Sequence, residues 1–193
     1  MPTPRPRGHI KKLQRLVREG YDIWAIDEVH FQQHGSRCIM WVPPEMKDPV
    51  LLHHPTRKSV GYFGAVRLRD GKFCFSREEG KFDAVTTWAF LRRLHAASIR
   101  AGRRVAVIID NAKYHHASMH KEWRHTKEPG FRLLFLPPYS PDLNPIERVW
   151  KLVRRLRLHN RYFPELGNVI ETVEDLFSNW TDRADVLRRL CKV

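Results

Sequence analysis

Residues 105–110 read VAVIID, and this run is the most direct indication of how the chain folds. The apolar residues from Val105 to Ile109 predict a strand that is buried on both faces, and therefore central and parallel to a neighbour. Asp110 follows at the carboxyl end of that strand, where open α/β sheets place their ligands. An Asp-Asn pair also favours a turn, so the residues alone leave a purely structural role for Asp110 open.

The segments before this run predict an antiparallel meander. Strand patterns cover residues 22–31, 37–42, 59–68 and 72–76, and the turn Asp70-Gly71 joins the last two as a hairpin. In the second half of the chain, strands alternate with helices. We therefore expect an α/β fold with a mixed five-stranded sheet, an antiparallel meander plus parallel strands, flanked by helices.

Helical periodicity accounts for most of the remaining chain. It predicts a basic lead-in helix at residues 9–19, a long helix from 82 to 102 and a further helix at 115–127, which a strand at 132–136 follows. From Pro145 onward the chain is predicted to be helical, with a break near Pro164. The apolar residues between 169 and 180 predict that the last helical part packs on the core.

The composition fits one domain with a polyanionic partner. The 193 residues are 42% hydrophobic, and 35 Lys and Arg against 21 Asp and Glu leave a net charge of +14. This surplus favours nucleic acid before an anionic membrane surface, because basic side chains on phosphates release condensed counterions. No apolar stretch approaches the ~20 residues of a membrane helix, and no signal peptide is recognisable, so we expect a protein that is neither secreted nor bound to a membrane. Three distant cysteines without a CxxC pair suggest neither disulfides nor a structural zinc site.

Two further carboxylates occupy positions that local structure does not require. Asp27 shares the apolar face of its strand with Ala25 and Val29, which is a costly place for a charge unless the strand lies at a sheet edge. Glu147 is the third helical residue if Asn144 is the N-cap, so a capping box could explain it. The same position lies at the positive end of the helix dipole, which favours the ionised form that a hard cation binds.

Asp27, Asp110 and Glu147 together supply oxygen ligands of the kind that hold two Mg²⁺ or Mn²⁺ ions, about 3.5–4 Å apart, around a phosphodiester. A chain with 21 acidic residues offers many such triples, so composition alone does not select this one. A zinc site is a competing interpretation, and the histidines available to it are His53, His54, His115, His116 and His120. Nothing else in the sequence supplies convincing third and fourth ligands for zinc.

Three blocks of the sequence resemble the DDE transposases of mariner-type bacterial insertion sequences. They read AIDEVHF at 25–31, IIDNAKYH at 108–115 and LPPYSPDLNPIERVW at 136–150, and the last block is long and specific. The segment HNRYF at 159–163 also matches, so the resemblance covers most of the chain. It implies an RNase H-like fold in which Asp27, Asp110 and Glu147 are the catalytic residues and metal ligands, with two Mg²⁺ or Mn²⁺ ions as cofactor.

The resemblance also implies an activity. Members of this family cleave double-stranded DNA at transposon ends and transfer the 3′-hydroxyl end into target DNA, with a homodimer as the active complex. We therefore expect a bacterial, cytoplasmic and nucleoid-associated enzyme. A catalytically silent DNA-binding fragment that competes with a full-length transposase is the alternative, and a nuclease of RNA–DNA hybrids is a third option that the proline-rich block before Glu147 disfavours.

One departure from the family concerns the beginning of the chain. Full-length relatives start with helix-turn-helix modules, and only the lead-in helix precedes Asp27 here. We expect the catalytic half alone, encoded by the second frame of a two-frame element or by a truncated copy, with a separately encoded helix-turn-helix region as a possible partner. The expected parts are a basic tail and lead-in helix (1–20), the catalytic domain (21–163) and a C-terminal helical extension packed on that domain (164–193).

Several further residues are candidates for supporting roles. The basic side chains after Glu147 could contact DNA phosphates, although a solvated face of an amphipathic helix is an equally simple interpretation. The candidate DNA-binding residues are Lys113, Arg148, Lys151, Arg154 and Arg155. The candidates that would orient the metal ligands are Glu28, Asn111, His115 and Asn144. Trp150 and the stripe of Val149, Leu152, Val153 and Leu156 are expected in the core, and Asp142 is expected to be a turn residue.

Overall fold

The structure is a computed structural model that describes residues 7–39, 41–46, 52, 55–99, 102–118, 121–138 and 140–192. In these ranges the strands are β1 (Tyr21–Gln32), β2 (Ser59–Arg67), β3 (Phe73–Glu78), β4 (Arg104–Ile109) and β5 (Phe131–Phe135). The helices are α1 (Arg7–Arg18), α2 (Ala84–Ile99), α3 (Lys121–Lys127), α4 (Ile146–Val153), α5 (Leu166–Ser178) and α6 (Asp185–Leu190). Short 3₁₀ turns occur at Lys113–His116 and Pro141–Leu143, and a π-helical turn at Arg154–Leu158 continues α4.

The five strands form one mixed sheet in the order β3-β2-β1-β4-β5. β1, β2 and β3 are antiparallel neighbours, whereas β1, β4 and β5 run parallel. Every residue from Val105 to Ile109 is fully buried in β4, because this strand lies between two others and has helices over both faces. The predicted mixed sheet, with a central strand at VAVII, is confirmed.

Helices cover both faces of the sheet. The alternation of β1 places Ile23, Ala25 and Phe31 on one face, where they join a cluster formed with α1, α4, α5 and α6. Trp24 and Ile26 point to the other face and join a smaller cluster with α2 and α3. Because parallel strands end at the same edge of a sheet, this arrangement exposes one edge, the carboxyl ends of β1, β4 and β5, to loops that can carry a site.

Two predicted elements are wrong in their extent. Residues 37–39 and 41–42 form no strand, because β2 and β4 already occupy both edges of β1, and Ser36 makes only an isolated bridge to His159. The predicted helix at 115–127 is a 3₁₀ turn followed by a separate helix α3, and Ala117 between them has extended backbone angles.

The C-terminal part packs on the sheet. Val149, Val153, Val173 and Phe177 are fully buried in the larger cluster. Leu156, by contrast, is exposed, which corrects the predicted stripe. The π-helical turn after Val153 has more residues per turn than an α-helix, which changes the residue that faces the core. Leu158 is therefore buried in place of Leu156.

None of the helices in the described ranges is both long enough and apolar enough to span a membrane.

Candidate active site

The carboxylates of Asp27, Asp110 and Glu147 line one pocket of about 470 Å³ at the carboxyl edge of the sheet. Its wall is completed by the polar residues Asn111, Ser140 and Asn144 and by the apolar residues Ala112, Leu136, Pro137, Pro138 and Pro141. Three distant segments of the sequence thus meet at one place, as the resemblance implies. Asp142 lies in the 3₁₀ turn beside the pocket without lining it.

The parallel register of the sheet brings the two aspartates together. Ala25 of β1 is paired with Ile108 of β4, so two residues further along these strands the chain reaches Asp27 and Asp110. Asp27 is still inside β1, whose pairing continues with β2, whereas Asp110 follows the end of β4. Asp27 is therefore the more enclosed of the two, and Asp110 is exposed.

Two side-chain hydrogen bonds fix the start of α4 against β1. Asn144 Nδ2 donates to the carbonyl oxygen of Ile26 at 2.9 Å, and the Trp150 indole Nε1 donates to Asp27 Oδ2 at 3.1 Å. Both donors are buried, so each bond replaces one that water would otherwise make. The result is that Glu147, which lies between them in the sequence, is held beside Asp27.

The predicted capping box at Glu147 is wrong. Pro145 is the N-cap of α4, and its side chain has no atom that could accept a capping bond. The side-chain amide of Asn144, the predicted N-cap, is directed at β1 instead. Asn144 Oδ1 is buried and accepts no hydrogen bond from the described residues. A buried polar atom without a partner, on the wall of a polar pocket, is suited to a water molecule, a cation or a substrate donor.

Burial, together with the nearby charges of Glu28 and Glu147, raises the pKa of Asp27 to about 8. The backbone N–H of Glu28 and the indole of Trp150 oppose this rise without cancelling it. A carboxyl group crowded by two others and shielded from water is one whose ionised form a cation stabilises strongly. The electrostatics of the pocket are therefore those of a cation site.

His115 links two acidic residues at the rim of the pocket. Its ring is buried, with Nδ1 at 2.7 Å from Asp110 Oδ1 and Nε2 at 3.1 Å from Glu28 Oε1. Burial of the ring opposes protonation, but hydrogen bonds with Asp110 and Glu28 outweigh it and raise the pKa of His115 to about 9. The hydrogen bond from His115 in turn lowers the pKa of Asp110 against the effect of its partial burial. Asp110 is thus held ionised and oriented.

Asn111 fastens the loop after β4 to the loop after β5. Its Nδ2 donates to the carbonyl oxygen of Leu136, and its Oδ1 lies 3.2 Å from His116 Nε2. The His116 ring stacks on Phe135 at a centroid distance of 4.2 Å. These contacts join the two loops that carry Asp110 and the block 136–150.

The candidate DNA-binding residues differ in their surroundings. Lys113, Lys151 and Arg155 are exposed. Arg154 is half-buried with its guanidinium 5.6 Å from the Phe31 ring centroid, and Arg148 donates to the carbonyl oxygens of Leu190 and Lys192 at 2.9 and 3.4 Å. Arg148 therefore ties α4 to the end of the chain, and contact of any of the five with DNA stays a prediction.

The histidine interpretation finds no support. His53, His54 and His120 lie outside the described residues, while His115 and His116 have the partners given above. Within the described ranges no three His, Cys, Asp or Glu side chains are already grouped closely enough to hold a metal ion. The carboxylates of the pocket would therefore have to close around a cation on binding it.

One role at the site was missed by sequence reasoning. Trp150 was expected only in the core, where it is indeed buried, but its indole N–H also bonds Asp27. The signal was its position one turn after Glu147. Glu28 and His115 were both predicted to orient the metal ligands, and only the tertiary structure shows the bond between them, across 87 residues of sequence.

Comparisons with known proteins give the family and the fold of the chain. The sequence model of the family described as "DDE superfamily endonuclease" matches residues 22–170. An uncharacterized protein of Sinorhizobium fredii, y4pE/y4sA, is 34% identical over 73 residues, which are 38% of this chain and 50% of that protein. The "Insertion element IS630 uncharacterized 39 kDa protein" of Shigella sonnei is 28% identical over 110 residues, 57% of this chain and 31% of that protein. The chain thus spans half or less of the length of these two relatives.

Solved structures with the same fold include those of the Mos1 transposase. The Mos1 strand transfer complex matches with a TM-score of 0.68 at 20% identity, over 94% of this chain and 55% of that one. The catalytic domain of Mos1 mariner transposase matches with a TM-score of 0.59 at 16% identity, over 99% of this chain and 90% of that one. The predicted RNase H-like fold is confirmed by these matches.

Proposed function

This chain belongs to the DDE superfamily endonuclease family, and from that premise we propose that it is a transposase catalytic domain that cleaves DNA strands and joins the 3′-hydroxyl end to target DNA with a divalent metal. The observation that carries the proposal is the shared pocket of Asp27, Asp110 and Glu147. These residues come from a strand, a strand end and a helix start, and no local structural need places all three there.

The donor set of the pocket fits Mg²⁺ or Mn²⁺. Three carboxylates and the free Oδ1 of Asn144 offer only oxygen ligands, which hard divalent cations prefer. We propose that Asp27, Asp110 and Glu147 hold two such ions. When bound, the ions supply activation of a water or 3′-hydroxyl and neutralise the charge that develops on the phosphodiester.

The other residues of the site act on these carboxylates. We propose that His115 orients Asp110 and keeps it ionised, and that Glu28 in turn fixes the imidazole. Trp150 fixes the rotamer of Asp27, and Asn144 and Asn111 hold the loops that shape the pocket. Each of them reaches the chemistry through another residue, so they are positioning residues.

The proposed partner is double-stranded DNA, at transposon ends and at the target. The net charge of +14 supports it, and exposed Lys113, Lys151 and Arg155 near the loops and helix of the site offer cations for backbone phosphates. Solved Mos1 complexes are described as paired-end complexes, with Mn in one case and Mg in another. By analogy we propose a homodimer as the active form of this chain.

Strand cleavage with matched variants tests the proposal. Supercoiled plasmid and a duplex with a recessed 3′-hydroxyl end are incubated with the protein and Mn²⁺ or Mg²⁺. We expect nicking and joined products with the natural sequence, and a loss of at least about 10³-fold in Asp27→Asn, Asp110→Asn and Glu147→Gln. Asp142→Asn is the matched control, because it removes an acid of the same block that does not line the pocket.

The outcomes separate the proposal from its alternative. Full activity in all three pocket variants would exclude the assigned residues. Salt-dependent DNA binding without cleavage, in the natural sequence and even with added helix-turn-helix region, would support the silent fragment instead. Stabilisation of the fold by Mg²⁺, measured by urea unfolding, gives a readout of metal binding that does not depend on DNA.

A further inference from the structure

A second cleft lies at the amino edge of the sheet, the edge opposite to the proposed active site. It has a volume of about 540 Å³ and is bounded by α1, by the start of β1, by the turn after β2 and by the end of the chain. From Asp22 in this cleft to Asp27 in the proposed active site, β1 advances by five residues, or about 16 Å. The pocket mechanism proposed above therefore makes no use of this cleft.

The cleft is positively charged. Arg18, Arg69, Arg103 and Lys192 line it against one carboxylate, Asp22, so its wall carries a net charge of +3. Asp22 is almost fully buried and is contacted by Arg69 at 3.0 Å and by Arg103 at 3.7 Å. Arg18 and Lys192 are exposed and form no ion pair with the residues that the structure describes.

The wall between these charges is apolar. Leu13, Ile23 and Leu68 form its floor, and the Val17 side chain on α1 is 60% exposed at its border. On α1, Leu13 and Leu16 are buried in the core, whereas Val17 is exposed beside the basic residue Arg18. An apolar side chain beside a concave apolar wall gains area if a partner side chain enters.

We propose that this cleft binds an acidic peptide segment of a partner protein, with an aliphatic or aromatic residue in the cleft and carboxylates on Arg18, Lys192 and the outer faces of Arg69 and Arg103. Charge complementarity selects an anionic partner. The apolar floor favours a peptide over a duplex, because a peptide can place an apolar side chain between the cations, whereas a duplex backbone presents only phosphates and sugars there.

A labelled peptide provides the test. The probe is a fluorescein-labelled 14-residue peptide with Glu and Asp at most positions and Leu and Trp anchors on one face, titrated with the full chain at low and at 150 mM salt and followed by fluorescence anisotropy. We expect micromolar binding that weakens with salt. The same peptide with its Leu and Trp residues replaced by Ser is expected to bind at least about tenfold more weakly, because the floor is then unfilled.

Variants of the cleft residues test whether the peptide binds in the cleft. Arg18→Glu/Lys192→Glu changes two side chains that are unpaired in the described structure, and Val17→Ser removes the exposed apolar group. We expect each of these two proteins to bind the peptide at least about fivefold more weakly. Lys81→Glu/Lys127→Glu is the control, since it makes the same change of net charge at exposed positions outside the cleft. Circular dichroism and urea unfolding establish that each variant is folded.

The outcomes decide between partners. Equal weakening by the control pair, or no effect of Val17→Ser, would overturn the proposal, since binding would then follow net charge alone. Loss of duplex DNA affinity in Arg18→Glu/Lys192→Glu, with peptide affinity unchanged, would also overturn it and assign the surface to DNA. Asp27→Asn is expected to retain peptide binding in full, so failure of the proposed strand cleavage leaves this inference separately testable.

Discussion

Replacing Asp27 by Asn should stabilise the metal-free protein, and by an amount that grows with pH. Burial and the charges of Glu28 and Glu147 raise the pKa of Asp27 from 3.8 to about 8. Between these values the unfolded chain releases the proton while the folded chain keeps it, so the free energy of unfolding falls as pH rises, and it levels off above about pH 8. Asn keeps the shape of the side chain and an oxygen that can accept the Trp150 N–H, but it has no proton to lose.

The magnitude follows from the width of the pH interval. One pKa unit corresponds to about 1.4 kcal/mol, so the interval from pH 5 to pH 8 corresponds to at most about 4 kcal/mol. We expect Asp27→Asn to exceed the natural sequence in free energy of unfolding by about 2–4 kcal/mol more at pH 8 than at pH 5. The pH-dependent gain should vanish below about pH 3, where Asp27 is protonated in both states.

Urea unfolding in EDTA at pH 5, 6, 7, 8 and 9, followed by tryptophan fluorescence, measures this difference. Glu79→Gln is the control, because it removes one carboxylate at an exposed position outside the pocket. Repeating the series with Mg²⁺ at about ten times its dissociation constant should stabilise the natural sequence by about 1.4 kcal/mol and leave Asp27→Asn unchanged. A pH-independent difference between Asp27→Asn and the natural sequence would refute the reasoning about the pocket.

Three further perturbations address the groups around the carboxylates. Gly64→Ala should destabilise the fold by about 2 kcal/mol or more in urea unfolding, because the new Cβ would lie 2.2 Å from Trp150 Cη2 in a packed core. His115→Ala should destabilise the protein most below pH 6.5 and progressively less up to about pH 9, because the raised pKa of His115 contributes stability that is lost as the ring deprotonates. A constant loss of stability from pH 6 to pH 9 would contradict the proposed bonds of His115 with Asp110 and Glu28. Asn144→Ala should cost about 1–3 kcal/mol, because the carbonyl of Ile26 loses its buried donor, and should lower the rate of strand cleavage more than Gly167→Ala, which changes an exposed helix position.

The outline of the sheet could be predicted from the sequence because its signals are local. The apolar run at Val105–Ile109 marks a strand buried on both faces, and period-two alternation marks β1. Residues 37–42 carried a similar signal, yet 37–39 and 41–42 form no strand, because both edges of the preceding strand β1 are already paired with β2 and β4. Sheet occupancy is a property of the whole chain, which no window of ten residues contains.

The identity of the three acids could also be predicted, since each stands in a block with its own pattern. What the sequence could not supply is the set of cross-chain bonds that make them a site: Asn144 to Ile26, Trp150 to Asp27, and His115 to Glu28. The capping box that could have explained Glu147 is not formed either, because the Asn144 side chain points to β1, where its Nδ2 donates to the carbonyl oxygen of Ile26.

By itself the sequence determined most of the strands and helices, the surplus of positive charge and the residue types available for a cation, because these depend on composition or on neighbours along the chain. Only the tertiary structure decided that Asp27 is buried beside two other acids, that His115 joins Asp110 to Glu28, and that a cationic cleft lies at the opposite edge of the sheet. Burial and electrostatic coupling depend on distances between residues remote in sequence, and the parallel register of β1 and β4 sets those distances.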